Sequence, residues 1–175
     1  MQGGLLPGDF LLASKLSYKM DKPAVGDLVL MKNPIKIGES LVSRIVALEG
    51  QTVEIVGKSV YVDGQPFTEF ESIQHSDYRI LPKDFSNRDF MPPQLVPPGH
   101  IFVLGDNRDN CEDSRSFGSV PNSNILGKGL FVYFSWTPDP SAPKLESPYI
   151  VPAIHLFFYN VVNFGSRVRW DRLFI

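Results

Sequence analysis

Apolar residues along the chain come in short runs, each closed by a turn signal, and this rhythm predicts strands rather than helices. Pro7-Gly8-Asp9 turns into an apolar run at residues 10–13, and Gly26-Asp27 turns into a second at residues 28–31. Residues 52–56 and 59–62, joined across Gly57-Lys58, predict a β-hairpin, and Asp63-Gly64 turns the chain again. Ile101-Phe102-Val103-Leu104 reads as a buried strand. Three stretches depart from the rhythm. Residues 66–98 are polar, rich in proline and weakly periodic, and residues 137–148 read as a proline-rich linker. Residues 150–164 are apolar and aromatic but interrupted by Pro152, His155 and Asn160. That segment is too short and too polar to span a bilayer, and predicts an interfacial or packing role.

The turn after Leu104 is the densest in candidate chemistry. It runs Gly105-Asp106-Asn107-Arg108-Asp109-Asn110-Cys111-Glu112-Asp113-Ser114-Arg115. Asp and Asn hydrogen-bond their own backbone in tight turns, so part of this composition is turn chemistry. Three Asp and two Arg within residues 106–115 also suit a network of charge-assisted pairs. A solvated acidic turn is the alternative.

Composition narrows the class. A hydrophobic content of 43% and a charged content of 21% describe an ordinary globular chain, and 175 residues fit one domain with its own core. A formal net charge of -2 gives no electrostatic case for nucleic acid. Fifteen Pro and fourteen Gly favour a loop-rich, all-β architecture, and the single cysteine, Cys111, excludes an internal disulfide. His75 and His100 have no Cys or carboxylate at ligand spacing, so no metal site is predicted, and no cofactor motif appears.

The turn resembles the most distinctive motif of the type I signal peptidases, membrane-bound Ser-Lys proteases that remove leader peptides from exported proteins. That motif reads Gly-Asp-Asn-Arg-Asp-Asn-Ser, any residue, Asp-Ser-Arg, then Gly and Val-Pro. Gly105, Asp106, Asn107, Arg108, Asp113, Ser114 and Arg115 match it as a structural loop, followed by Gly118 and Val120-Pro121. Cys111 stands where the family has the Ser that orients the catalytic Lys. Residues 40–55 resemble the general-base motif: Arg44 and Gly50 match, while Ser43 occupies the Lys position. Residues 1–12 resemble the nucleophile motif, with Met1 as its Met and Gly3-Gly4 in place of Pro-Thr, so that the nucleophilic Ser would precede Met1. Residues 124–136 resemble the closing strand, and residues 167–175 the Arg-Trp-Asp-Arg ending of Gram-negative members.

The resemblance implies a mostly β fold of coiled antiparallel sheets of the signal-peptidase type, with a short apolar C-terminal segment. It implies a core over residues 1–136, with a variable insertion at 64–99, and a linker and apolar, basic segment over 137–175. The expected partners are signal peptides of exported preproteins and the membrane surface, with no nucleic acid. The expected location is the inner membrane with the domain facing the periplasm. The family's N-terminal spans are not in this sequence, so the expectation is a truncated chain or one that has lost its anchor.

Ser43 bears directly on activity. A serine hydroxyl becomes a competent nucleophile only when a base takes its proton. A buried lysine can do so once desolvation lowers its pKa, whereas a second neutral hydroxyl is far too weak a base. Lys32, Lys36 and Lys58 flank turns and read as solvated charges. Ser14 and Ser17 lie out of register with the nucleophile motif, and Cys111 as a new nucleophile would need an activating partner that the sequence does not show. Impaired activity is therefore expected, and the alternative is an inactive paralogue that binds signal peptides or a translocation partner without cleaving.

Overall fold

The computed structural model describes residues 4–144, 147 and 149–173. In chain order its elements are β1 (Asp9–Ser14), α1 (Ser17–Met20), β2 (Leu28–Lys32), β3 (Ser40–Leu48), β4 (Thr52–Val56), β5 (Ser59–Val62) and β6 (Gln65–Pro66). There follow β7 (Phe90–Leu95), β8 (His100–Leu104), α2 (Ser114–Phe117), β9 (Val120–Pro121), β10 (Ile125–Ser135), α3 (Ile150–Val162) and α4 (Phe164–Arg167). The fold is mostly β and its ladders are antiparallel, in line with the sequence expectation. Two compact units share the described residues: 4–5 with 13–130, and 6–12 with those described between 131 and 173.

In the first unit, strands lie in the order β10-β2-β3-β8-β9, and a second sheet has the order β6-β5-β4-β7. β3 is the spine. Successive side chains on a strand face opposite sides, so β3 serves two cores. Ile45 joins Val29, Met31, Ile101, Val103 and Val120 on one side. Val46 and Ala47 join Val53, Ile55, Phe102 and Leu104 on the other. Two consecutive residues can share a face because a bulge falls between Ile45 and Ala47, where the pairing to β8 slips by one residue.

The hairpin β4–β5 turns at Gly57 and Lys58, both at positive φ (56° and 74°), the conformation that suits the twist of the flanking strands. β7 was not foreseen, because Pro92 and Pro93 break the strand signal. It forms at the edge of its sheet, where proline's missing N–H need not complete a ladder on both sides.

In the second unit the chain crosses close to itself beside β1, where Trp136 N donates to Gly8 O at 2.9 Å. Gly8 has φ +92°, and a Cβ there would fall 1.8 Å from the Trp136 carbonyl oxygen, so only glycine fits. Next to it, Asp9 gathers donors from both ends of the unit: Leu6 N at 2.7 Å, Ser135 Oγ at 2.6 Å and Arg172 Nη2 at 2.6 Å. Burial pushes this carboxyl up, but the bonds from Arg172, Ser135 and Leu6 outweigh it and hold the pKa at about 2.

A carboxylate with a depressed folded-state pKa adds stability that is present above its unfolded value of 3.8 and lost as pH falls towards 2. The Asp9 cluster therefore contributes roughly 2 kcal/mol at neutral pH. Asp9→Asn should lower the thermal midpoint at pH 7 and flatten the loss of stability between pH 4 and pH 2, as followed by circular dichroism. An unchanged acid limb in the variant would show that other carboxylates govern it.

Candidate functional site

The site lies in the first unit and is assembled around the loop that follows β8. Three of its carboxylates are almost fully buried, and each is met by a cation from a different part of the sequence. Asp106 takes a two-pronged bond from Arg44 on β3, Nε to Oδ1 at 2.9 Å and Nη2 to Oδ2 at 2.8 Å. Arg44 also donates to the Gly26 carbonyl at 2.9 Å and lies over the Phe70 ring at 4.9 Å. Asp113 caps α2 by accepting from Arg115 N, accepts from Gly105 N at 3.0 Å, and takes Arg115 Nε and Nη2 at 2.8 and 2.7 Å. Asp109 pairs with Lys58 Nζ at 2.7 Å and accepts from Asp77 N at 2.8 Å. Burial pushes the Asp109 carboxyl up, but Lys58 and the Asp77 N–H outweigh it and hold it below the usual range.

Lys58 thus departs from the solvated charge expected of a turn lysine. Its side chain is largely buried, and it also donates to the Asp77 carbonyl. The reason is tertiary: positive φ at Lys58 is tolerated for the hairpin turn, and the ammonium is then enclosed by the loop.

The insertion at residues 64–99, which offered no motif, supplies much of the clamp. Ser72 Oγ donates to Asp106 Oδ2 at 3.1 Å and accepts from Arg44 Nη2 at 3.2 Å. Gln74 N donates to Asp106 O, and Arg108 N donates to Gln74 O, a parallel bridge between Gln74 and Asn107. Ser76 Oγ donates to Asn107 Oδ1 at 3.1 Å. Arg88 pairs with Asp89 at 2.7 Å and Asp77 at 3.0 Å, and its carbonyl accepts from Arg115 Nη1. Scattered polar residues carry no period, so the only signal available was the charge excess of the loop they neutralise. Arg108 meets Glu69 at 2.6 Å, and burial lowers its pKa because the low-dielectric surroundings disfavour its charged form.

Ser43 lies one residue beyond the last pair that β3 makes with β8, and Cys111 packs against Gly105, the residue after β8. Ser43 is 2% exposed and lies opposite Val29 of β2. On its other side β3 pairs Arg44 with Leu104, and extending that antiparallel register by one residue sets Ser43 opposite Gly105. Directly opposite residues carry their Cβ positions on the same face, about 5 Å apart. Gly105 has no Cβ, and that space belongs to Cys111: an added Cβ would fall 2.2 Å from its Sγ and 2.5 Å from its own Cβ. Ser114, beside the loop, accepts from Val103 N at 3.0 Å and fixes α2 to β8.

The turn leading into β1 reaches the same network. A Cβ on Gly4 would fall 2.7 Å from Asp106 Oδ2 and 3.7 Å from Arg44 Nη2, so this backbone is in close contact with the ion pair. Met1 and Gly3, the other positions singled out in that turn, lie outside the described residues. Among the described residues, no group of three or more His, Cys, Asp or Glu side chains could hold a metal ion.

The family model for signal peptidase, peptidase S26, matches residues 1–136. A probable signal peptidase I-1 of Synechocystis sp. is 37% identical over 134 residues, 73% of this chain and 63% of its own length. A probable thylakoidal processing peptidase 2 of Arabidopsis thaliana is 37% identical over 138 residues, 75% of this chain and 34% of its own length. A signal peptidase I of Aquifex aeolicus is 29% identical over 213 aligned positions, covering 93% of this chain and 82% of that protein. The chain thus spans about a third to four fifths of the length of these relatives.

Arg115→Ala should be among the most destabilising substitutions in the loop, because it strips the cation from a carboxylate that is 1% exposed. Breaking a buried pair from one side costs about 3–5 kcal/mol, or roughly 10 °C in the thermal midpoint for a chain of this size. Adding Asp113→Asn removes the stranded charge while keeping a capping oxygen, and should recover part of that loss. No recovery would show that the Arg115 contacts to backbone, not its charge, are what stabilise the loop.

Proposed function

The chain belongs to the signal peptidase family, peptidase S26, and on that premise we propose that it is a signal-peptide-binding domain of the type I kind whose hydrolytic step is impaired. The reading is supported by the resemblance that sets Ser43 at the general-base position, where its side chain is buried opposite Val29. A lysine ammonium at that place would lose hydration against apolar neighbours, and its pKa would fall towards the range where the free amine can accept a proton. Ser43 offers a neutral hydroxyl and no such site. Cys111 follows the same logic, since a thiol is a weaker hydrogen-bond partner than a hydroxyl for orienting an amine.

Peptide binding is separable from this loss. The partners are signal peptides of exported preproteins, presented at the periplasmic face of the inner membrane. An extended segment that adds to a sheet edge draws its affinity from backbone hydrogen bonds, which do not depend on the side chain at residue 43. The clamp of Asp106, Asp109 and Asp113 keeps its cations, which supports a frame still built for that role.

Three proteins in one cleavage assay test the reading: the chain as it stands, the chain preceded by Ser, and the Ser-preceded chain with Ser43→Lys. The first two should release little product from a signal-peptide substrate. The third should be faster by about 100- to 10,000-fold, the usual contribution of a positioned base. Equal rates for the second and third would show that another group serves as base. Efficient cleavage by the first would refute impairment.

A further inference from the structure

The second unit carries a helix turned inside out. α3 holds no Asp, Glu, Lys or Arg, and none of its residues is buried. At about 100° per residue, Pro152, Leu156, Tyr159 and Asn160 fall on one side with Asn163 of the following turn, and these are the half-buried positions. That side carries Tyr159, Asn160 and Asn163, which the unit's own chain satisfies, and His155, the remaining polar residue, is exposed at its margin. Tyr159 Oη donates to the Asp139 carboxylate, Arg167 Nη1 donates to Asn160 Oδ1 at 2.9 Å, and Asn163 Nδ2 donates to Tyr159 O at 2.8 Å. The opposite side presents Ile150, Ile154, Phe157, Phe158, Val161 and Val162 to solvent, with Phe157 63% and Phe158 61% exposed. A helix that served only to cover a core would face the other way.

We infer that α3 lies in the plane of a lipid bilayer surface, with its outward apolar face sunk into the boundary between headgroups and acyl chains. The inference rests on the reading that the domain works at a membrane, and it names the element that makes the contact. Thirteen residues extend about 20 Å, well short of the roughly 30 Å hydrocarbon core. No described helix is long and apolar enough to cross a membrane. Lying flat is the geometry left to such a helix at a bilayer.

A second copy of the chain fits less well. A face about 20 Å long and 10 Å wide offers a few hundred Å² per copy, below the 1,200–2,000 Å² in total that stable protein interfaces bury. A bilayer sets no such minimum, because each exposed side chain partitions on its own. The same unit extends the apolar surface through ring contacts running Tyr133, Phe10, Phe134, Trp136, Phe164 and Trp170. Aromatic rings with a polar edge are suited to the headgroup level. The charges of the unit balance, four Lys or Arg against four Asp or Glu, so the attraction is apolar and not electrostatic.

The test is flotation of the full chain with phosphatidylcholine vesicles and with vesicles containing phosphatidylglycerol, at low salt and at high salt. Binding should appear with both lipids and survive high salt. Phe157→Glu with Phe158→Glu should weaken it roughly 10-fold or more, and the near-ultraviolet spectrum and thermal midpoint should not move, because both side chains point outward. Binding that vanishes at high salt, or that the double variant leaves unchanged, would overturn the inference. So would a lipid-free dimer, seen by sedimentation, that the same variant dissociates. Cleavage of a soluble peptide reads a different site, so failure to bind vesicles leaves the peptidase reading intact, and failure to cleave leaves this one intact.

Discussion

Burying a carboxylate without a cation is the most costly thing this fold could do, and it buries three in one loop. Asp106, Asp109 and Asp113 meet Arg44, Lys58 and Arg115 at 2.7 to 2.8 Å. Desolvating both members of such a pair consumes most of their mutual attraction, so the pairs add little net stability over an apolar filling. Their effect is on what may go where. Arg44 comes from the spine strand, Lys58 from the turn of the β4–β5 hairpin and Arg115 from α2, two residues after Asp113. Any register of β3 or placement of the hairpin that displaces one of these cations leaves a buried charge alone. The loop thereby fixes the relation of its own backbone to β3.

The parts of this arrangement that could be read from the sequence are those with local signals. The β4–β5 hairpin, β8 and the loop after it were legible because alternation, turn residues and a long fixed-spacing motif lie in consecutive residues. The fold class followed from the same resemblance. β7 was hidden by Pro92 and Pro93, whose meaning changes at a sheet edge. Ser72, Gln74, Asp77 and Arg88 were hidden for a different reason: each acts through one long-range contact, and a single polar residue in a proline-rich stretch has no pattern. Lys58 was misjudged because a turn lysine is ordinarily solvated, and only the folded loop shows which carboxylates enclose it. The polarity of α3 was equally illegible, since its period shows which residues share a face but not which face turns inward.

Ser43 and the ion-paired scaffold lie on opposite faces of β3, as consecutive residues of a strand do. Arg44 projects towards the Asp106 pair, while Ser43 lies opposite Val29. None of the three buried carboxylates takes its cation from residue 43, so the side chain there can vary without stranding a buried charge. A hydroxyl at that buried position also costs less desolvation than an amine would. Selection acting on stability alone would therefore not preserve a base at this position. The ion pairs are held by the fold, and residue 43 is held only by chemistry.

That separation also bears on Cys111. Its place is set by Gly105, whose missing Cβ admits the sulfur at a distance no side chain there would allow. The position must be filled by something small for the loop to close against β8, and Ser or Cys meets that need alike. What differs is the hydrogen bond each can offer to whatever stands at residue 43. With an amine there, a hydroxyl that accepts strongly is worth keeping; with a second hydroxyl there, nothing distinguishes the two except fit.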